Sequence, residues 1–364
     1  MRIKNHFLNR LRYRISFSLR PSKIEVFEER SNLDLAETIL IDSRINLGNI
    51  VNVGLVRDGD DYTKFERFLK NNKIAYEYFN IHSSSWMEDA KKFDVFIWRP
   101  LSSPYELEEA REKIYFLERL LNKSVYPSFA EIMFYENKIL QNYILKNEGF
   151  PVIETFISYD YDEVLDWLEK AKYPFVSKIK EGAASQGVSL IRNKKTARGH
   201  VEKIFRGGKP TYWPFLKQKN YVFFQKYVEN EGFDLRVIVV DENHIFGYYR
   251  EIPKGEFRAS GMGLVVKKEL PKEAVRVALD LTKKLTFTNL SVDFLQSKAD
   301  ERFYIIETSN FIKIETDEQL KINGIPGRYR YIYETDDLIF EKGSFWVQEL
   351  TLKNFFEKSY LKDR

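Results

Sequence analysis

The sequence predicts a mixed α/β and α+β protein, and three observations carry that prediction. From about residue 50 to 127, strand-like and helix-like stretches alternate. Beyond residue 150, short strands dominate, many with period-2 alternation. Hydrophobic residues fill 43% of the 364 positions and charged residues 31%, the balance of a soluble chain with room for two or three domains.

The alternating region reads as follows. Ile50–Val56 is strand-like, and Tyr62–Lys70 has helical spacing through Phe65, Phe68 and Leu69. Ile74–Phe79 is a strand, Trp86–Lys91 a short helix, and Asp94–Trp98 a strand closed by Arg99-Pro100. Tyr105–Leu121 is a long helix rich in Glu and Arg, followed by a short strand near Val125. Such a βαβα succession builds a small open parallel sheet with helices on its faces. Residues 131–148 read as one further helix, stopped by Gly149 with Pro151 just beyond.

After that the texture changes. Val152–Ser158 is a strand and Tyr161–Ala171 a helix; Phe175–Lys180 and Val188–Arg192 are strands flanking a glycine-bracketed loop. Residues 193–220 read as a helix and a long loop. Tyr221–Val228, Asp234–Val240, His244–Arg250 and Gly263–Val266 are strands. Pro271–Leu285 is a helix, and Ser291–Gln296 and Phe303–Glu307 are strands. Residues 313–364 carry no pattern that assigns them a role, Trp346-Val347-Gln348-Glu349-Leu350 included.

Composition narrows the chemistry. The chain has no cysteine, which removes disulfides, thiolate metal sites and cysteine nucleophiles and fits a reducing compartment. His6, His82, His200 and His244 lack ligand-like spacing, so any metal is expected to be a hard ion held by carboxylates. The net charge is +4, yet residues 1–23 alone carry seven Lys/Arg and no acid, leaving about −3 on the remainder. The body is therefore not a nucleic-acid binder. The basic start, interleaved with Phe7, Leu8, Leu11, Ile15, Phe17 and Leu19, reads either as a solvated arm or as an amphipathic element on an anionic membrane face. No apolar run is long enough to span a bilayer.

Four constellations carry chemistry. Lys178 ends a strand beside the loop Gly182-Ala183-Ala184-Ser185-Gln186-Gly187, where a point charge and backbone N–H groups suit phosphates. Lys138 lies on the helix before Gly149, and two lysines from separate segments suit one polyphosphate. Phe223-Phe224-Gln225-Lys226-Tyr227-Val228-Glu229 is an apolar strand running into a polar hinge, which suits an adenine with a carboxylate for the ribose; read alone it is better explained as an edge strand. Asp234-Leu235-Arg236 places two polar side chains on one strand face, and Arg250 and Arg258 sit at strand ends near a glycine-rich segment. Guanidinium groups match carboxylate and phosphate oxygens two at a time. Finally, Asp293 and Glu307 each interrupt an apolar strand, with Asn310 three residues on. An interior acid needs a partner or a metal, and two of them suit Mg²⁺ bridging phosphates or a buried pair bonded to arginine.

In this order the pieces resemble the ATP-grasp superfamily, nearest to its RimK-type and glutathione-synthetase-like branch, over roughly residues 130–312. Beyond the basic N-terminal arm (1–48) that composition sets apart, the resemblance implies a pre-ATP-grasp α/β domain (49–128). An ATP-grasp domain of two subdomains clamping ATP (129–312) and a C-terminal extension (313–364) follow. It implies that Lys138 and Lys178 take the ATP phosphates, with Gly182, Ser185, Gln186 and Gly187 in the covering loop. Gln225, Lys226, Tyr227 and Val228 would form the adenine hinge, with Glu229 or Glu231 toward the ribose. Asp234 and Arg236 match the family's Asp-x-Arg strand, Arg250 its catalytic arginine, and Phe257-Arg258 its Phe-Arg element. Asp293 and Glu307 match the metal-bridging acids. The family reads Glu-x-Asn where this chain has Glu307-Thr308-Ser309-Asn310, so either Ser309 takes the ligand position or a bulge brings Asn310 to it.

The implied activity is a carboxylate–amine ligase that uses ATP with Mg²⁺, or Mn²⁺ in its place, and proceeds through an acyl phosphate. Its partners would be a small-molecule, glycan or peptide carboxylate and an amine. The expected location is cytoplasmic, with peripheral contact at the inner membrane face through residues 1–23 under the amphipathic reading. Two alternatives stand beside it: an ATP-grasp kinase acting on a hydroxyl, and a nucleotide-binding scaffold without activity.

Overall fold

A computed structural model describes residues 33–45, 51–59, 61–182, 187–213, 215–241, 243–259, 264–311 and 319–360. Residues 1–32 and 46–48 of the expected basic arm, the Ser185 and Gln186 part of the glycine loop, and the segment 260–263 lie outside them.

Among the described residues, three larger sheets with their helices and one two-stranded pair build the fold. The first holds β1 (Asn52–Leu55), β2 (Ala75–Tyr78), β3 (Val95–Ile97) and β4 (Ser124–Tyr126), all parallel, in the order β2-β1-β3-β4. Helices α1 (Tyr62–Asn71), α2 (Trp86–Asp89) and α3 (Pro104–Tyr115) connect them, as the alternating pattern requires. Helix α1 buries Phe65, Phe68 and Leu69. Helix α3 opens on Ser103, whose side chain accepts from the Glu106 N–H, with Pro104 in the first turn.

The single helix expected over 131–148 is two. Helix α4 (Phe129–Phe134) is closed by Tyr135 in extended conformation, and α5 (Lys138–Asn147) starts afresh. Between them Glu136 takes φ +51° and Asn137 caps α5, accepting from the Leu140 N–H. The apolar spacing runs on through both helices, and that continuity hides the break. Asn137 is the readable signal, because Asn prefers the N-cap over a helix interior.

A second, four-stranded sheet follows. It contains β5 (Thr155–Ser158), β6 (Phe175–Ser177), β7 (Ser189–Ile191) and β10 (Val222–Lys226), ordered β5-β10-β6-β7 and antiparallel throughout. Helices α6 (Tyr161–Lys170) and α7 (Lys194–Arg206) cover it, and a small pair, β8 (Lys209–Pro210) with β9 (Lys217–Gln218), stands aside.

The third sheet is the largest. Its main path, β15-β14-β11-β12-β17-β16, is built from β11 (Asn230–Val240), β12 (His244–Glu251), β14 (Asn289–Ser297), β15 (Phe303–Ser309), β16 (Leu320–Ile322) and β17 (Ile325–Ile332). Strands β13 (Val265–Val266) and β18 (Asp337–Lys342) attach to β12 and β17. Helix α8 (Lys272–Leu285) packs on one face over Leu235, Val237, Val239, Val292 and Phe294. The other face is divided. At one end Ile238, Val240 and Phe246 join the core of the parallel sheet; at the other, alternation places Asp234, Arg236, Tyr248, Arg250 and Asp293 side by side.

Residues 319–360 belong to this architecture. Strands β16, β17 and β18 extend the large sheet, and α9 (Val347–Tyr360) packs on α1, with Phe68 and Phe356 stacked at 6.2 Å. Helix α9 buries Leu350, Leu352, Phe355 and Phe356, each worth about 1.5–3 kcal/mol relative to exposure.

Candidate active site

Register assembles the acidic half of the site. Arg236 of β11 lies directly opposite Asp293 of β14, and Asp293 directly opposite Glu307 of β15. One row across three strands thus carries a cation and two carboxylates. Arg236 grips Asp293 with two parallel bonds, Nε to Oδ1 at 2.7 Å and Nη2 to Oδ2 at 2.8 Å. Arg250, opposite Asp234, donates from Nη2 to Asp293 Oδ2 at 2.8 Å and from Nε to Asp234 Oδ1 at 2.5 Å. Burial opposes charge on Asp293, but the two guanidinium groups overcome it and hold the carboxyl well below the usual range. For Asp234, burial prevails over Arg250 and pushes the carboxyl up to about 6.

The basic half comes from the second sheet and α5. Lys178 follows β6 directly, and its N–H still donates to the Phe223 carbonyl at 3.0 Å, which fixes its backbone against β10. Its Nζ reaches across to the large sheet and donates to the Ile306 carbonyl at 3.1 Å. Lys138, the first residue of α5, donates to the Gly182 carbonyl at 2.6 Å and pairs with Glu307 at 2.8 Å. Two lysines 40 positions apart therefore meet at Glu307 and its neighbour, although they arise from separate elements.

Their electrostatics differ. Burial pushes the Lys178 ammonium down to about 8; Glu307 opposes that shift and Lys138 adds to it. Burial also works against charge on Lys138, yet the Glu307 and Glu136 carboxylates hold it above its ordinary value. The surroundings thus favour charge on Lys138 and weaken it on Lys178.

The remaining expected residues divide. Gly182 is buried, and its N–H donates to Glu136 Oε2 at 3.1 Å. Gly187 takes φ +76°, and a Cβ there would lie 2.4 Å from the Ile179 side chain, so the turn requires glycine. Gln225 is buried in β10 and donates to Thr155 Oγ1 at 3.3 Å, Lys226 closes the strand, and Tyr227 and Val228 form the half-buried link to β11. Glu229 and Glu231 are exposed on that link and the start of β11. Arg258 is half-buried against Phe257 and donates to Glu256 at 3.4 Å; no hydrogen bond among the described residues ties it to Asp293.

Strand alternation separates Ser309 from Asn310. The register runs unbroken from Asp293–Glu307 to Ser291–Ser309, with the bulge on the other side of Glu307. Ser309 therefore faces the same side as Glu307. Asn310, expected as a metal ligand, is 2% exposed and donates to the Glu131 carbonyl at 3.0 Å. Sequence reasoning missed Glu136 altogether, together with the Ile306 carbonyl and Tyr248, which lies opposite Arg236.

Among the described residues, no group of three His, Cys, Asp or Glu side chains forms a self-sufficient metal cage. Asp293 Oδ2 accepts two bonds, whereas Oδ1 accepts one and keeps a lone pair beside Glu307. Two carboxylates with room for phosphate and water oxygens are the donor set that Mg²⁺ prefers.

Comparison with known proteins agrees with this architecture. The RimK-like ATP-grasp domain matches residues 135–325, just over half of the chain, and the chain belongs to that family. It is an enzyme of the ATP-grasp ligase class, which binds ATP and forms a carbon–nitrogen bond between a carboxylate and an amine. The chain is 22% identical over 289 residues to alpha-aminoadipate–LysW ligase LysX of Saccharolobus solfataricus, covering 77% of this chain and 96% of that one. It is 29% identical over 174 residues to a probable alpha-L-glutamate ligase of Stenotrophomonas maltophilia, covering 47% of this chain and 56% of the relative. In fold it resembles D-alanyl-alanine synthetase A of Vibrio cholerae, with a TM-score of 0.53, 13% identity, and coverage of 72% and 89% of the two chains.

Proposed function

We propose that the chain activates a carboxylate as an acyl phosphate between the second sheet and the Arg236–Asp293 face, and passes the acyl group to an amine. The observation that carries this reading is the meeting of Lys138 and Lys178 at one strand end, 2.8 Å from Glu307 and 3.1 Å from the Ile306 carbonyl. Lys138 and Lys178 bind and orient the triphosphate, with Gly182, Ser185, Gln186 and Gly187 beside it. Gln225 through Val228 line the adenine, and Glu229 or Glu231 takes the ribose. Asp293, Glu307 and Ser309 are the residues that would hold Mg²⁺, or Mn²⁺ in its place. When bound, the ion would offset phosphate charge.

The substrate carboxylate oxygen bonds to the γ-phosphorus as the bond to the bridging oxygen of ADP breaks. The amine nitrogen then bonds to the acyl carbon, the acyl–phosphate bond breaks, phosphate leaves, and the amine proton passes to water. Arg250 and Arg236 orient the carboxylate end, and they start preorganised because Asp234 and Asp293 already hold them. Arg258 is assigned the outer, substrate side of this wall.

One relative is named for α-aminoadipate and another for L-glutamate, so acidic amino acids are the first substrates to test. ATP, Mg²⁺ and a panel of carboxylates are incubated with hydroxylamine as surrogate amine. Equal yields of hydroxamate, ADP and phosphate are expected, with ¹⁸O moving from labelled carboxylate into phosphate. A stable phosphorylated product would establish the kinase instead, and absence of turnover across the panel the scaffold.

The finer localisation we infer is peripheral contact of residues 1–23 with an anionic membrane face. No helix among the described residues is long and apolar enough to cross a membrane. Deletion of residues 1–23 is expected to reduce binding to phosphatidylserine vesicles; equal binding would leave the arm in solvent.

A further inference from the structure

Glu136 is the acid that neither the motif order nor the reaction outlined above uses. It sits in the break between α4 and α5 at φ +51°, a conformation that non-glycine residues adopt rarely. It is 9% exposed, and among the described residues no guanidinium or ammonium lies in direct hydrogen-bond contact with it. Its Oε2 instead accepts the Gly182 N–H at 3.1 Å and stands 4.0 Å from Lys138 Nζ. Gly182 also offers its carbonyl to Lys138 Nζ at 2.6 Å, and the Lys138 N–H donates to the Lys180 carbonyl at 3.2 Å.

These bonds close a ring. Glu136 accepts from the Gly182 N–H, Lys138 donates to the Gly182 carbonyl, and both residues flank the α5 cap. The backbone N–H and the ammonium that Glu136 faces are also the two kinds of donor that bind a phosphoryl oxygen. A carboxylate with two oxygens and one negative charge resembles part of a phosphate in both respects. Glu307, at 2.8 Å from Lys138, already supplies one anion to that ammonium, so a second buried acid beside it serves no pairing need.

We propose that Glu136 is an internal anionic placeholder, a positioning residue that keeps Lys138 and the Gly182 N–H aimed at the phosphate position until nucleotide phosphate replaces it. The proposal rests on the assignment of Lys138 to the ATP phosphates. Two consequences follow from Coulomb repulsion between the carboxylate and the incoming phosphates. Removing the charge while keeping the acceptor oxygen strengthens nucleotide binding, and the gain grows with the number of phosphates.

The test is calorimetric titration of the full-length protein and its Glu136→Gln variant with AMP, ADP and the non-hydrolysable analogue AMP-PNP, each with Mg²⁺. AMP affinity should be unchanged, ADP tighter by a few-fold, and AMP-PNP tighter by about tenfold, which is about 1.4 kcal/mol. A merely structural glutamate would shift all three ligands alike. Equal or weaker AMP-PNP binding by Glu136→Gln overturns the proposal. A Lys138→Met control separates the two levels: if it binds AMP-PNP as wild type does, the underlying site assignment fails. If it binds weakly while Glu136→Gln shows no gain, only the placeholder fails. Should Glu136→Gln not fold, the wild-type complex with AMP-PNP decides. There the bond from Gly182 N–H to Glu136 must be broken, and its persistence overturns the proposal.

Discussion

The two halves of the candidate site hold their charges by different means. On the large sheet, Arg236, Arg250, Asp234 and Asp293 satisfy one another through cross-strand register, so their positions do not depend on a ligand. On the nucleotide side, Lys138 and Lys178 are satisfied by backbone carbonyls and by Glu307, acceptors that phosphate oxygens can replace. The first arrangement is a preorganised wall, and the second is a set of donors with exchangeable partners. A site that must take up a nucleotide and also stabilise charge as it develops gains from this division.

Breaking the wall has the largest expected effect. Arg236→Ala leaves Asp293 buried with Arg250 alone and should lower stability by about 3 kcal/mol, read by urea unfolding. Activity should fall with it. A loss below about 0.5 kcal/mol would mean that the wall is not built as described.

Lys178→Met tests the other half and should behave in the opposite way. Nucleotide affinity should fall by about 10–100-fold, the worth of a charged hydrogen bond, while stability at pH 7 stays equal or rises. Burial places the folded-state pKa of Lys178 at about 8, below its ordinary value of 10.5. Below pH 8 the lysine is charged in both states, and the folded state bears the desolvation penalty. Above pH 10.5 it is neutral in both, and the penalty is gone. Wild-type stability relative to Lys178→Met should therefore increase between pH 8 and 10.5. A constant difference would contradict the burial argument.

The same shift sharpens the comparison without mutation. Phosphate beside Lys178 favours its charged form, so nucleotide binding at pH 9 should take up protons, by an amount that disappears in Lys178→Met. Calorimetry in buffers of different ionisation enthalpy reads this directly. The smallest effect belongs to Arg258→Ala. Its only described side-chain hydrogen bond goes to Glu256 at 3.4 Å, so unfolding should change by less than about 0.5 kcal/mol.

The parallel sheet and most strands were legible because their periodicity reports directly on burial. The lysines and carboxylates were legible as residue types in a meaningful order. Register was not: nothing in Asp234-Leu235-Arg236 says that Arg236 meets Asp293 or that Asp293 meets Glu307. The break at Tyr135–Asn137 was masked because apolar residues keep helical spacing on both sides of it. Helix α9 escaped for a related reason. It buries Gln348, Glu349, Thr351 and Asn354 along with its apolar residues, so no polar stripe marks its orientation. Glu349, paired with Arg67 at 2.6 Å, is such a case of a charge placed inside by tertiary contacts.

The central claim is that both lysines and the Asp293–Glu307 pair surround a single triphosphate. A crystal structure with AMP-PNP and Mg²⁺ tests it most directly. The account predicts phosphate oxygens within hydrogen-bond distance of Lys138 and Lys178, and the metal between those oxygens and the Glu307 carboxylate. Nucleotide bound with Lys178 still on the Ile306 carbonyl and Lys138 still on Gly182, both out of reach of the phosphates, would contradict it.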